Sequence, residues 1–451
     1  SMSMLPESAY NALGLPSDTV KILMNPKPPD TPVAIAAPNL LQNDTQSAGP
    51  VALNESSIAL YAELLLHIRT VTLFASLRTH HTHETKAQLS ADGASITISH
   101  ESESATIRLP IKVQDGGGGD AALHLPAQPP SKELTLRLQL EEREGSDLLG
   151  TLQSEERKAN IVPWDGASLS QMQGVEIMCK SCGEVVVPRG KVGSWRDLPN
   201  ENWAEMMDFW HCHKPDEGHL HDHENDEVVG KKGYAAGNRL KAKEGMGFVD
   251  LTSLLLEEGD CEGVEIASKQ QEDSIVCKHC KHTLGARDES SSGHRIWKWS
   301  ISLSPSPSAP PTTYTTQKWI SARLLFLIEN SGVRKFHIHP PPNKLSSSPS
   351  AKPDPSTPSL LLWVFTPDLL FSSSVASPHR SDPTRAMKVF YKRQTWRPIR
   401  PGEVESASVE DVEFPGSLFG EVERVLGESR DVLPVGAREF QGWDVGLLER
   451  F

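Results

Sequence analysis

Two C-x-x-C pairs constrain this chain more than any other feature. Cys179 and Cys182 lie in MCKSCGE at 178–184, and Cys277 and Cys280 lie in VCKHCKHTLG at 276–285. Each pair puts two sulfurs on one tight turn, from which both can reach a tetrahedral zinc ion at about 2.3 Å. Gly183 follows the first pair, where a positive φ turns backbone N–H groups toward the thiolates. Ninety-four residues separate Cys182 from Cys277. Closing so long a loop costs on the order of 4 kcal/mol. Structural zinc contributes roughly 10–16 kcal/mol in small peptides, which offsets that cost. The pattern predicts one structural Zn2+ held by Cys179, Cys182, Cys277 and Cys280, pinning a central β-module. Two alternatives stay open. Cys179, Cys182, Cys212 and His213 would close a shorter loop around a metal. Redox use of a C-x-x-C is the other, although neither pair opens a helix of a βαβ unit. Cys261, in the acidic stretch EEGDCEG, is expected to be inert or exposed.

Between the two pairs stands ENWAEMMDFWHCHKPD at 201–216. Trp203, Met206, Met207 and Trp210 fall at i, i+3, i+4 and i+7, one apolar stripe on a helix. Asn200 or Asn202 can cap it, and Glu201 and Glu205 suit the positive end of its dipole. Pro215 ends it and pushes Lys214 out of the α region. His211, Cys212 and His213 therefore fall at the helix exit. There a thiol feels the negative end of the dipole, so nucleophilicity at Cys212 would need His211, His213 or a distant cation. Three readings apply to Cys212 and His213: a buried polar pair, metal ligands, or a functional thiol with its base.

The rest of the chain reads as α+β, mainly antiparallel β with a few helices. Residues 1–50 include a Pro/Ala/Asn-rich arm and are expected to lack order. Residues 51–165 form an N-terminal β-domain. IALYAELLLHI starts it as a short helix, RTVTLFASL follows as a strand, and ASITISHE, ATIRLPIKV and KELTLRLQLEE alternate apolar with polar residues as half-buried strands do. Residues 166–300 form the zinc-binding module with the Trp-rich helix. Residues 301–451 form a C-terminal α+β domain with Pro/Ser inserts at 303–313 and 343–359. Its expected elements are a helix over TQKWISARLLFLIENSGV closed by Gly332, strands at RKFHIHPPP, LLLWVFTPDLLF and AMKVFYKR, and a final helix over GSLFGEVERVLGES. No internal repeat stands out.

Composition narrows the function. Fifty-nine acidic against 45 basic residues leave a formal charge of −14, so direct nucleic-acid binding is not expected. No run of 18 apolar residues is present, so no membrane span is expected, and the first residues lack the pattern of a secretory signal. Four of six cysteines in C-x-x-C pairs suit a reducing compartment, cytoplasmic or nuclear. No Walker loop, G-x-S-x-G, dinucleotide fingerprint or H-E-x-x-H occurs. The histidines of HLHDHEND (219–226) suit a solvated loop. His337 and His339 share a strand face and suit packing or surface roles.

The segments MCKSCG, LPNENWAEMMDFWHCHKP and VCKHCKHTLG together resemble the HECT-like ubiquitin ligase family of E2 ubiquitin-conjugating-enzyme-binding proteins. YAELLLHIRTVTL, ATIRLPIKV, LLLWVFTPDL, RAMKVFYK and LPVGAREFQGWDVGLLERF extend the resemblance over about 57–451. It implies a protein that binds an E2 and ubiquitin and promotes ubiquitin transfer, with Cys212 as the acceptor thiol and His211 or His213 as its base if a thioester forms. It also implies an alternative: a non-catalytic adaptor or assembly factor for the pre-mRNA 3′-end cleavage and polyadenylation endonuclease. A HECT ligase carries its acceptor cysteine in a C-terminal lobe, whereas no cysteine follows Cys280 here.

Overall fold

The structure is a computed structural model. It describes residues 56–65, 70–113, 121–123, 125, 129–139, 162–198, 240–267, 273–342, 357–378 and 380–451. The expected arm at 1–50, the glycine run at 116–119, the Trp-rich stretch and most of the insert at 343–359 fall outside these residues.

The described residues build mainly antiparallel sheets with few helices. The largest is nine-stranded. Its main path runs Glu439–Phe440, Trp443–Glu449, Thr384–Trp396, Thr357–Ser373, Ala59–Leu65, Thr70–Ser76, Glu133–Gln139. Lys335–His339 pairs with the start of the 357–373 strand, and Glu410–Glu413 pairs parallel to Lys335–His339. Strands from 51–165 and from 301–451 thus share one sheet, joined where Tyr61 meets Ser373 and Leu65 meets Leu369.

The stretch expected to open as a helix is instead the strand Ala59–Leu65. It sits between two partners and is buried on both faces: Leu60, Ala62 and Leu64 enter one core, while Tyr61 enters another. A strand covered on both sides reads as a continuous apolar run, which hides its period of two.

Two layers cover one side of this sheet. A four-stranded sheet (Lys86–Leu89, Ser95–His100, Glu103–Arg108, Ala121–Leu123) closes a core with Leu73, Leu134 and Leu136. Helices close the other half. After a short α1 at Gly166–Ser170 come α2 at Thr316–Ser331 and α3 at Gly416–Ser429. Ile320, Leu324 and Leu327 of α2 pack with Leu418, Val422 and Leu426 of α3 over Phe336 and Leu362. Gly332 ends α2 in the left-handed region at φ 71°, as expected. Trp319, fully buried on α2, reaches the other way into the core of the cysteine-bearing module. One helix therefore belongs to two cores.

That module has a seven-stranded sheet from Ser194–Asp197 to Val264–Ile266 and a three-stranded sheet in the order Ile301–Ser304, Glu176–Cys179, Val185–Val187. The Pro/Ser stretch 303–313 is a closed surface loop, not an extended linker: Leu303 and Thr312 exchange two backbone hydrogen bonds of 2.9 Å. No helix among the described residues is long and apolar enough to cross a membrane.

Candidate metal centre and family

The two C-x-x-C turns are built alike. The first runs from strand Glu176–Cys179 into strand Val185–Val187, the second from Ser274–Cys277 into Thr283–Asp288. Cys179 N–H donates to Glu184 O at 2.8 Å and Gly183 N–H to Cys179 O at 2.8 Å. In the second turn Cys277 N–H donates to His282 O and Lys281 N–H to Cys277 O, both at 2.9 Å. Register slips between Ile177 and Met178 in one hairpin and between Ile275 and Val276 in the other, the same place relative to the cysteines. The residue after each pair adopts a left-handed φ: 78° at Gly183 and 63° at Lys281. This is an internal structural repeat that the sequence hides, because outside the cysteines the two turns share few residues.

The turns face each other. Cys179 Sγ stands 3.6 Å from Cys280 Sγ, and Cys182 Sγ stands 3.7 Å from Cys277 Sγ. All four ligand atoms lie within 4.8 Å of one another, with Cys179 and Cys277 buried. A sulfur tetrahedron around an ion at about 2.3 Å has edges of about 3.8 Å. A disulfide would need a sulfur separation near 2.05 Å. The donor set and its spacing thus fit a four-coordinate metal ion.

Backbone N–H groups already point at the sulfurs. The His282 N–H is the largest influence on Cys280, which is lowered to about 7. Burial dominates at Cys179 and pushes its thiol up to about 12, against donation from Cys182 and Ser181 N–H groups. Four thiols this close cannot all ionise alone, since each thiolate raises the cost of the next. A divalent cation removes that repulsion.

Gly263 ties the turns together, and sequence reasoning missed it. Its N–H donates to Val186 O at 3.0 Å in the first hairpin, and its carbonyl accepts from Lys278 N–H at 2.9 Å in the second turn. A Cβ on Gly263 would stand 2.2 Å from Val185 O, so only glycine permits the approach. Two lysines add outer ties: Lys180 Nζ donates to Tyr314 O at 2.8 Å, and Lys278 Nζ donates to Glu262 O at 2.6 Å.

The remaining sequence candidates separate. His211, Cys212 and His213 lie in 199–239, outside the described residues, as does HLHDHEND. Cys261 is buried at 3% exposure, not exposed. Its thiol is pushed well up by burial first, then by Asp260, Glu257 and Glu258. His337 Nε2 lies 2.7 Å from Ser359 Oγ, and its Nδ1 lies 3.5 Å from Asp411. His339 stacks on Trp396 at 3.7 Å. Both histidines are in packed polar contacts.

The chain is 26% identical over 369 residues to a bovine protein named as an E3 ubiquitin-protein ligase, covering 74% of this chain and 87% of that one. It is 25% identical over 308 residues to the mouse protein of the same name, covering 62% and 73%. It is also 25% identical over 301 residues to an uncharacterised protein of Schizosaccharomyces pombe, covering 64% and 78%. No solved structure matches the chain. The sequence model of one family matches residues 63–445, a span that takes in both cysteine turns and most of the large sheet. This protein belongs to the HECT-like ubiquitin-conjugating enzyme (E2)-binding family.

Proposed function

We propose that this protein acts as an E3-type ubiquitin-protein ligase. It binds a ubiquitin-loaded E2 and promotes transfer of ubiquitin to an acceptor amine, with a structural Zn2+ on Cys179, Cys182, Cys277 and Cys280. The family match over residues 63–445 carries the reading, and the relatives named as E3 ubiquitin-protein ligases support it. Zinc supplies no step here. Bound there, it would neutralise the thiolates and hold the two strand turns together.

Two chemical routes serve the transfer. In the first, the protein orients the E2 thioester and the acceptor amine attacks it directly, so catalysis is positioning. In the second, a thiolate of this chain attacks the thioester carbonyl, the E2 thiol leaves, and the amine then attacks the new thioester. With the metal bound, one of the six cysteines is left for the second route. Four face one another in the cluster, and Cys261 is buried with its thiol pushed up. Cys212 remains, with His211 or His213 to take its proton. The second reading, implied by the resemblance, is a non-catalytic adaptor or assembly factor for the pre-mRNA 3′-end cleavage and polyadenylation endonuclease.

Incubation with ubiquitin-charged E2 tests the three. A ligase speeds loss of the E2 thioester in the presence of free lysine; an adaptor leaves the rate unchanged. A covalent ligase forms a reductant-sensitive ubiquitin adduct that Cys212→Ala abolishes. An adduct that survives Cys212→Ala removes Cys212 from the mechanism.

A further inference from the structure

The second face of the large sheet carries an aromatic cluster separate from the core of the cysteine module. Trp363 and Phe365, Phe390, Phe440 and Trp443 come from four neighbouring strands of this sheet and form one aromatic floor. Ring centroids are 5.4 Å apart for Trp363–Phe390, 4.6 Å for Phe365–Phe390, 5.0 Å for Phe390–Phe440 and 5.9 Å for Trp363–Trp443. Phe390 is buried, while the other four keep part of their surface in solvent. The opposite face of the sheet is covered by helices and by the four-stranded sheet. Val432 and Leu433 pack against this floor and cover part of it.

Two ammonium groups stand on the floor. Lys335 Nζ lies 4.8 Å above the Trp363 ring and Lys392 Nζ lies 4.5 Å above the Trp443 ring. Such cation–π contacts hold a charge in place without neutralising it. Among the described residues neither lysine has a carboxylate partner. Their surroundings differ in this respect. Lys388, on the same strand face as Lys392, is paired with buried Glu63 at 2.6 Å. A chain of net charge −14 thus presents two uncompensated positive charges over an apolar floor.

We propose that this face docks an extended acidic segment of a partner protein. Its carboxylates meet Lys335 and Lys392, and its apolar side chains rest on Phe365 and Phe440 beside them. Aromatic floors with fixed charges at the rim are where binding energy concentrates in protein interfaces. Single-stranded nucleic acid fits less well. Bases stack on free ring faces, and here the two indole faces are already taken by lysines.

A fluorescent peptide alternating Glu with Phe and Leu, titrated with the full chain, tests this. The expected result is saturable binding that shifts tryptophan emission and weakens as NaCl is raised. The double variant Lys335→Glu/Lys392→Glu should bind about ten-fold more weakly or worse, while Lys86→Glu, a control on a different sheet, binds as the parent does. The double variant should melt with the parent. If it melts earlier, Lys335→Gln/Lys392→Gln replaces it with the same expected direction. Absence of binding, equal binding by the double variant, or equal binding of a peptide with Lys in place of Glu would each overturn the proposal. So would displacement of the peptide by oligo(dT), which would assign the face to nucleic acid.

Discussion

Cys179 Sγ lies 3.6 Å from Cys280 Sγ, although 101 positions separate the two in sequence. The second pair meets likewise, with Cys182 Sγ 3.7 Å from Cys277 Sγ. The relationship makes the module depend on both turns at once.

Cys277→Ser tests that dependence. It should remove the metal and unfold the module, because structural zinc contributes roughly 10–16 kcal/mol in small peptides, and a whole domain is stable by only about 5–15 kcal/mol. Limited proteolysis should open cleavage sites in the module. Since Trp319 of α2 is buried in the module core, its fluorescence should shift to the red. A variant with parental emission and protection would contradict the module as described.

Gly263→Ala should destabilise without touching a ligand. The added methyl meets Val185 O at 2.2 Å and Val186 Cα at 2.7 Å, both backbone. Neither can swing aside, so one hairpin must shift. Overpacking of this kind costs about 1–3 kcal/mol or more. Urea unfolding measures it, and the loss should persist with excess zinc. Parental stability would mean that Gly263 does not bridge the turns.

The pair Lys388–Glu63 offers a test away from the metal. The side chains are only 15% and 7% exposed, and Tyr61 Oη donates to the same carboxylate at 2.9 Å. Lys388→Met leaves that carboxylate buried with one partner, and should cost about 3–5 kcal/mol. Glu63→Leu added to it should recover much of the loss. A double-mutant cycle with no coupling would show the pair to be inert.

Stability should fall with pH below the ordinary histidine range. Burial is the main cause holding both His294 and His337 below that range. Glu258 and Glu257 oppose this at His294 while Arg287 adds to it, and Asp411 opposes it at His337 while His339 adds to it. A histidine with a depressed folded pKa favours the neutral form. Its contribution is complete above about pH 6.5 and is lost as pH falls from there through the folded value. Unfolding free energy should therefore be flat at neutral pH and decline on acidification, less steeply in His337→Gln. A rise in stability on acidification would contradict the assignment.

Much of this was legible in the sequence, and the gaps have physical causes. The cysteine turns were readable because C-x-x-C is local geometry. Their meeting was readable only through the cost of the long loop, which a shared metal would offset. The alternating strands at Ser95–His100 and Glu133–Gln139 and the two long helices were plain from periodicity. Ala59–Leu65 was not, because both of its faces are buried and no alternation survives. Its pairing with Thr357–Ser373 is a contact across some 300 residues, which no local pattern encodes. Gly263 gave no signal either: its role comes from the close approach of Val185, a tertiary fact. Lys281 hides the repeat, since it takes the left-handed φ that Gly183 announces openly in the first turn.

Zinc-edge X-ray absorption on the purified protein, with elemental analysis, tests the central claim most directly. About one zinc ion per chain is expected, with four sulfur neighbours near 2.3 Å. A protein that folds without metal would contradict it. So would a first shell containing nitrogen, which would move the site toward Cys212 and His213 and break the link between the two turns.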